Sequence, residues 1–520
     1  MRPGWFALMS AATLILANPA PAQDDLPPTG RSRFDQLIGN APVPYPFPRL
    51  VDTINRQMQT DSGGLPPLKT TLIPLGRSLQ RDAGAPDFFR YPRVVAAADG
   101  DSRPGIPPLK DRLFLGFHEK GEVIEVISYN DAAGRFEFQV VRDYRPGKTP
   151  QVFYARRSLC LACHQNAAPI FARPLWDETP ANPAIAARLR DARHDFYGIK
   201  LTGTDIAYFI DTATDRANLF SVWQTLWQHG CGPDDAGARC RMQAFAAALD
   251  YARRNALPAP DALPALDRIW TSRWPRGLAI PNPDLPNRDP LAALQDPDND
   301  PLLLRPALET WQAPDKTAFV VGLAGMLDTH AVRQMKAADL SAPLERLRAR
   351  GAFAARPFSH TLLDELRVEL GTARRARPVS LPPARAEPAA VRDAGPLVAP
   401  FRTHCASCHD TTLPHPPNFL HGNAAEVEAR LDHCAPRMYV RLSMAGIPEA
   451  ARSKPPMPPA AALASRGIDP AHWAVSPELD MLKRLVAGRL HGHDPSSLLR
   501  TPYAQLHPCL PPSGYAERAP

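Results

Sequence analysis

The sequence predicts a mainly α protein with a small antiparallel β meander, split into a Pro-rich mixed α+β N-terminal unit and a helical C-terminal unit. Three observations carry this expectation. Of 520 residues, 61 are Pro and 30 are Gly. That is roughly twice the usual Pro share of about 5%, which favours short elements joined by stiff extended segments. Residues 112–144 follow a period of two, and the chain beyond residue 182 returns to helical spacing. A 44% hydrophobic and 22% charged composition excludes wholesale disorder.

The net charge of +7 contains no Lys/Arg block of the kind that forms a nucleic-acid arm. Met1 to Ala22 reads as a secretory signal peptide, with Arg2, an apolar run from Trp5 to Ala17 and an Ala20-Pro21-Ala22 site. That run is too short to span a bilayer, and Thr317 to Leu327 is shorter still. The expectation is a periplasmic chain, cleaved near Ala22, with no stable membrane insertion and with structural disulfides permitted.

Residues 23–49 are Pro-rich and read as an extended arm. Glu122 to Tyr129 and Phe136 to Val141 are rich in β-branched and aromatic residues, with turns at Lys120-Gly121 and Asp131 to Gly134. Gln151 to Ala155 adds a strand, placing the meander at about 112–155. Ser158 is the expected N-cap of a helix that follows. Further helices are expected over Asn182–Asp195, Thr204–Leu226, Arg241–Asn255 and Thr317–Arg350. Cys231 and Cys240 bracket a short loop that one disulfide can close. Pro258 to Pro314 reads as a wrapping connection. Its Asp296, Asp298 and Asp300 lack the Gly and Glu of a calcium loop, since Ala307 stands at the bidentate position, and so read as solvated turn acids. A Pro/Ala/Arg linker at 376–394 then divides an N-terminal domain, 23–375, from a C-terminal one, 395–520.

Two segments share one spacing: Cys160-Leu-Ala-Cys163-His164 and Cys405-Ala-Ser-Cys408-His409. Cys-x-x-Cys-His is the attachment pattern of c-type haem. Two thiols one helical turn apart add across the two vinyl groups, and the adjacent imidazole meets the iron. A redox dithiol gives no reason for His twice, and a four-Cys zinc site joining motifs so far apart is rare in an exported chain. The cofactors expected are therefore two covalent haem c groups with iron, bound by Cys160, Cys163, Cys405 and Cys408, with His164 and His409 as proximal metal ligands.

Residues 395–520 resemble a class I cytochrome c domain, about a quarter of the chain. Phe401 stands four residues before Cys405, where that family packs an aromatic against the haem edge. Ala424 to Leu431 matches a middle helix, and Lys454-Pro455-Pro456-Met457-Pro458-Pro459 matches the loop presenting a distal Met. Ser476-Pro477-Glu478 opens a last helix with an apolar face of Leu479, Leu482, Leu485 and Val486. Leu397 departs from the family, which has Gly where its first and last helices cross, and Pro400 shortens the first helix. The resemblance implies Met457 as the second axial ligand of the C-terminal haem, with Met438 and Met444 read as core fillers; the alternatives are Met444 or no Met ligand at all. It also implies a disulfide joining Cys434 to Cys509.

The first haem is less determined. Tyr154, Phe171 and Trp176 read as its packing, and Arg156 and Arg157 read either as propionate partners or as solvated. His118, His194, His229 or a vacant position complete the iron. The leading expectation is single-electron transfer with a redox partner protein. The alternative is a peroxidase- or oxygenase-like haem enzyme whose first site is open and whose Met457 centre relays electrons. A secreted binding protein with purely structural haems is the third class. No substrate, partner identity or oligomeric state is legible.

Overall fold

A computed structural model describes residues 25–60, 64–75, 86–161, 164, 167–170, 175–201, 205–257, 263–273, 278–281, 308–311, 316–335, 340–373, 380–387, 397–410, 417–464 and 468–509. The expected signal peptide, Cys163, Phe171 and the three alternate Asp residues lie outside these. The fold is mixed α+β, about half helical with a six-stranded antiparallel sheet, where the sequence suggests mainly α with a small meander.

The chain begins with α1 (Arg33–Ile38) and α2 (Phe47–Asn55), not the extended arm expected over 23–49. Ser32 caps α1 by accepting from Asp35 N, and Pro sits in the first turn of α2, where its missing N–H is harmless. The sheet follows in sequence order: β1 (Leu68–Ile73), β2 (Arg93–Ala98), β3 (Leu113–His118), β4 (Val123–Asn130), β5 (Arg135–Arg142) and β6 (Gln151–Tyr154). Its register makes two neighbouring rows on one face. One row is Lys69, Ala97, Phe114, Ile127 and Phe138; the next is Thr71, Val95, Gly116, Glu125 and Val140. All six residues of β3 are buried because both faces are covered. On one side Leu72, Val94, Leu115 and Phe117 pack on Phe34, Phe47 and Leu50. On the other, Val95, Phe114, Tyr129 and Phe136 enter a helical core.

Helices follow: α3 (Arg157–Leu161), α4 (Leu175–Glu178), α5 (Pro183–Ala192), α6 (Asp205–Thr225), α7 (Asp235–Arg254) and α8 (Pro264–Arg273). Asn182 caps α5 as expected, but α3 starts at Arg157, so Ser158 lies inside it. A turn of π-helix, Leu226–Gly230, extends α6. Asp234 accepts from Gly237 N and starts α7 six residues before the expected Arg241, which puts Cys240 in the helix. The disulfide Cys231–Cys240 is formed. Where it is described, the expected connection holds regular elements, α8 and then β7 (Leu278–Pro281) and β8 (Leu308–Trp311) as an antiparallel pair. The helix expected over Thr317–Arg350 is three: α9 (Lys316–Gly325), α10 (Thr329–Gln334) and α11 (Ser341–Ala349); α12 (Thr361–Glu369) follows.

The expected linker is not loose where it is described. Residues 380–387 form a strap along β6. Tyr154 N donates to Arg385 O at 2.7 Å and Glu387 N to Tyr154 O at 3.0 Å, while Arg142 pairs with Glu387. Asn40 Nδ2 holds Ser380 O at 3.1 Å, and Arg31 reaches Pro382 O at 2.5 Å.

A third apolar core is built only from residues 398–509. It contains α13 (Ala399–His409), α14 (Ala424–Ser443), α15 (Ala460–Ala464), α16 (Pro470–Ala474), α17 (Pro477–Ala487) and α18 (Pro495–Arg500). Asn423 and Glu426 form a capping box on α14, and Ser476 caps α17. The last long helix, α17, packs principally on α14 rather than on α13. Cys434 and Cys509 are joined. Two disulfides fit an oxidising compartment. Among the described residues, no helix is long and apolar enough to cross a membrane.

Candidate functional site

The two Cys-x-x-Cys-His segments, remote in sequence, meet in space. Helix α3 packs against both α13 and α15, and Arg156 Nη1 donates to Ala406 O, inside the second segment, at 3.0 Å. Arg157, next along, donates to Phe136 O at 2.8 Å and pairs with Glu137 at 3.6 Å. Burial, with Arg135 beside it, brings its guanidinium down to about 10 against the opposing pull of Glu137. Neither of these arginines is a simple solvated charge.

Each segment positions its histidine in the same way. His164 Nδ1 lies 2.7 Å from Ala168 O, and His409 Nδ1 lies 2.7 Å from Pro417 O. A carbonyl only accepts, so Nδ1 is the protonated nitrogen in both rings and Nε2 carries the lone pair suited to a metal. Each ring also rests on an aromatic: Phe138 at 5.3 Å from His164, and Phe419 stacked at 4.3 Å from His409. Cys405 and Cys408 are one turn apart on α13, so both point to one side. Cys160 is in α3, and although the residue keeps some exposure its sulfur is enclosed. Burial first, then the carboxylates Glu125 and Glu387, push its thiol well up from its ordinary range. Cys163 is outside the described residues.

Met457 sits half-buried in its proline loop. Its N–H donates to Arg441 O at 3.1 Å, and Arg441 Nε donates to Pro455 O at 2.6 Å, so α14 holds the loop at two points. Three residues on, α15 reaches α3. Met444, by contrast, lies in the third core, and its sulfur accepts from Ser453 Oγ at 3.7 Å. Next to His409, the buried Asp410 binds Arg402 Nη1 at 3.1 Å.

The three candidate histidines for the first site differ. His194 and His229 are exposed. His118 is buried, and its Nδ1 accepts from Gly121 N at 3.1 Å. It stands four residues beyond Phe114, whose row ends at Phe138 under His164, so roughly 13 Å of strand separates it from that row. Burial first, then Arg93 and Lys120, push His118 down to about 4 from 6.5. Above pH 6.5 the ring is neutral whether folded or not. As pH falls toward 4 only the unfolded chain takes the proton, so roughly 3 kcal/mol of stability is lost across that window. Urea unfolding between pH 7.5 and 4 should show this decline, and His118→Gln should flatten it.

Sequence reasoning did not find the Arg93–Glu125 ion pair, 2.6 Å long, whose carboxylate acts on the Cys160 thiol. Its only signal is two opposite charges inside strands. Among the described residues no group of three or more His, Cys, Asp or Glu is placed to hold a bare metal ion. Comparison with protein-family models, with curated proteins and with solved structures finds no match to this chain.

Proposed function

We propose that this chain is an exported di-haem c-type cytochrome that passes single electrons between two covalently bound haems and a redox partner protein. The observation that carries the reading is the pair of contacting Cys-x-x-Cys-His segments, each with its His Nδ1 committed to a backbone carbonyl. The donor set fits haem c. Cys160 and Cys163 would hold one group and Cys405 and Cys408 the other, and His164, His409 and Met457 would bind iron. When bound, haem supplies a one-electron iron couple. The chain's own part is to fix each imidazole tautomer, to hold Met457 between two contacts to α14, and to set the two attachment helices against each other through Arg156. The C-terminal part is read as a class I cytochrome c-like domain and 23–375 as the first haem domain, in the periplasm after cleavage near Ala22. The denatured protein should exceed the mass of its mature chain by two haem groups, and Cys160→Ala or Cys408→Ala should each weaken one attachment. A mass showing one haem or none overturns the reading.

A second reading is supported by the distance of His118 from the His164 row. If no residue completes that site, the first centre is open and the protein is a peroxidase- or oxygenase-like oxidoreductase. A high-spin ferric EPR signal from one of two centres would favour it.

Partner chemistry follows from charge near the Met457 loop. Arg437, Arg441 and Lys454 converge on the Tyr503 ring, at 4.8, 5.8 and 5.7 Å. This positive patch suits an acidic or neutral partner held through a small interface. An anionic small reductant should reduce the C-terminal centre faster than a cationic one at low salt. The advantage should fade as the Debye length shrinks to about 8 Å. Stopped-flow rates across a salt series check it, and preference for the cationic reagent removes the docking model.

A further inference from the structure

With Arg156 and Arg157 both committed to backbone carbonyls, the guanidinium that stands out on the sheet face bearing Phe138, the neighbour of His164, belongs to Arg93 on β2. Its Nη2 donates to Glu125 Oε2 at 2.6 Å, while its Nε is buried with no hydrogen-bond partner among the described residues. A buried N–H without an acceptor is costly, so the arrangement calls for one. Room for this guanidinium comes from Gly116, the neighbour of Glu125 in the same sheet row. A Cβ there would lie 2.2 Å from Arg93 Nη2 and 2.6 Å from its Nε. Helix α3, which carries Cys160, packs on β5, where Val140 is the register partner of Glu125, and the Glu125 carboxylate acts on the Cys160 thiol. Arg93 and Lys120 together also oppose a positive charge at His118, two residues beyond Gly116 on β3.

We infer that Arg93, held by Glu125 and accommodated by Gly116, is the anion anchor of the first site, its Nε donating to a propionate carboxylate of the haem that Cys160, Cys163 and His164 would hold. This rests on the haem reading above. Glu125 is a positioning residue: it fixes one edge of the guanidinium so that the Nε edge serves the ligand. A cation beside a propionate offsets negative charge near the iron, and removing it stabilises the oxidised state relative to the reduced one.

The test compares the wild-type protein with Arg93→Gln, Arg93→Lys and Gly116→Ala. The readouts are denatured mass, potentiometric titration of both centres, and resonance Raman in the propionate-bending region. All four proteins should carry two haems. Arg93→Gln and Gly116→Ala should lower one midpoint potential by about a tenfold change in the reduced-to-oxidised ratio, 59 mV for one electron. Both should also move the propionate band, and Arg93→Lys should restore part of the shift. Two haems with neither potential nor band altered in Arg93→Gln and Gly116→Ala overturns the anchor. So does a phosphate titration that perturbs the wild-type spectrum but not Arg93→Gln, because the pair then takes an exogenous anion. A wild-type mass short of two haems instead overturns the haem reading itself. If Arg93→Gln fails to accumulate, Gly116→Ala, which keeps both charged partners, decides the matter.

Discussion

Replacing Met457 with Ala should sharply lower the reduction potential of one centre, abolish its weak near-infrared sulfur-to-iron absorption, and leave the fold standing. A thioether is a weak neutral ligand that favours the reduced iron, so its loss shifts the couple downward. The fold should survive because the loop is held by main-chain contacts: Met457 N to Arg441 O, and Pro455 O to Arg441 Nε. Met444→Ala should do the opposite. That side chain is 2% exposed in the third core, so truncation should cost about 2–5 kcal/mol while leaving both potentials in place. Potentiometry and urea unfolding of the two variants separate the roles. If Met444→Ala removes the infrared band, the loop assignment is wrong.

Breaking the Cys434–Cys509 disulfide should destabilise the third core by about 4.5 kcal/mol, the chain-entropy value for a closed segment of 75 residues. The Cys231–Cys240 bridge closes only 9 residues and should contribute less, about 2.6 kcal/mol on the same scale. The larger bridge should also matter to the Met457 centre. The tail it anchors lies on α14: His433 Nε2 meets Pro508 O at 2.9 Å and Arg437 Nη2 donates to Leu506 O at 2.6 Å. Tyr503, in the same tail, gathers Arg441 and Lys454. Cys509→Ala should therefore lower the melting temperature and weaken Met ligation together, seen in the same infrared band. Stability unchanged within about 1 kcal/mol in that variant contradicts this account.

Local chemistry was legible in the sequence where one short segment carries it. Asn182 and Ser476 start helices because a side-chain acceptor precedes Pro in the first turn, and β4 and β5 show their alternation openly. Strands β1 and β2 were not legible. Arg93-Val-Val-Ala-Ala-Ala is rich in a residue depleted from strands, and it is a strand because cover on both faces buries it. The start of α7 was missed because Asp234 and Gly237 read as loop residues, yet the Asp side chain caps the helix. The two motifs announced themselves, but their contact did not. Nothing near Arg156 in sequence names Ala406 as its acceptor, and nothing near Arg93 points to Glu125 or Gly116. Such pairings belong to topology, which brings remote residues to one sheet face.

The strap at 380–387 bears on how two copies of this chain would behave when crowded. A sheet's outer strand presents unpaired N–H and C=O groups that recruit other chains, and a slack connection lets like segments trade places between molecules. Here Arg385 and Glu387 occupy the outward groups of Tyr154, and Ser380 and Pro382 are tethered to Asn40 and Arg31, on either side of α1. Exchange of the C-terminal part between two molecules must first strip these bonds. The connection thus shields the sheet edge at Tyr154 and opposes exchange of the C-terminal part between molecules.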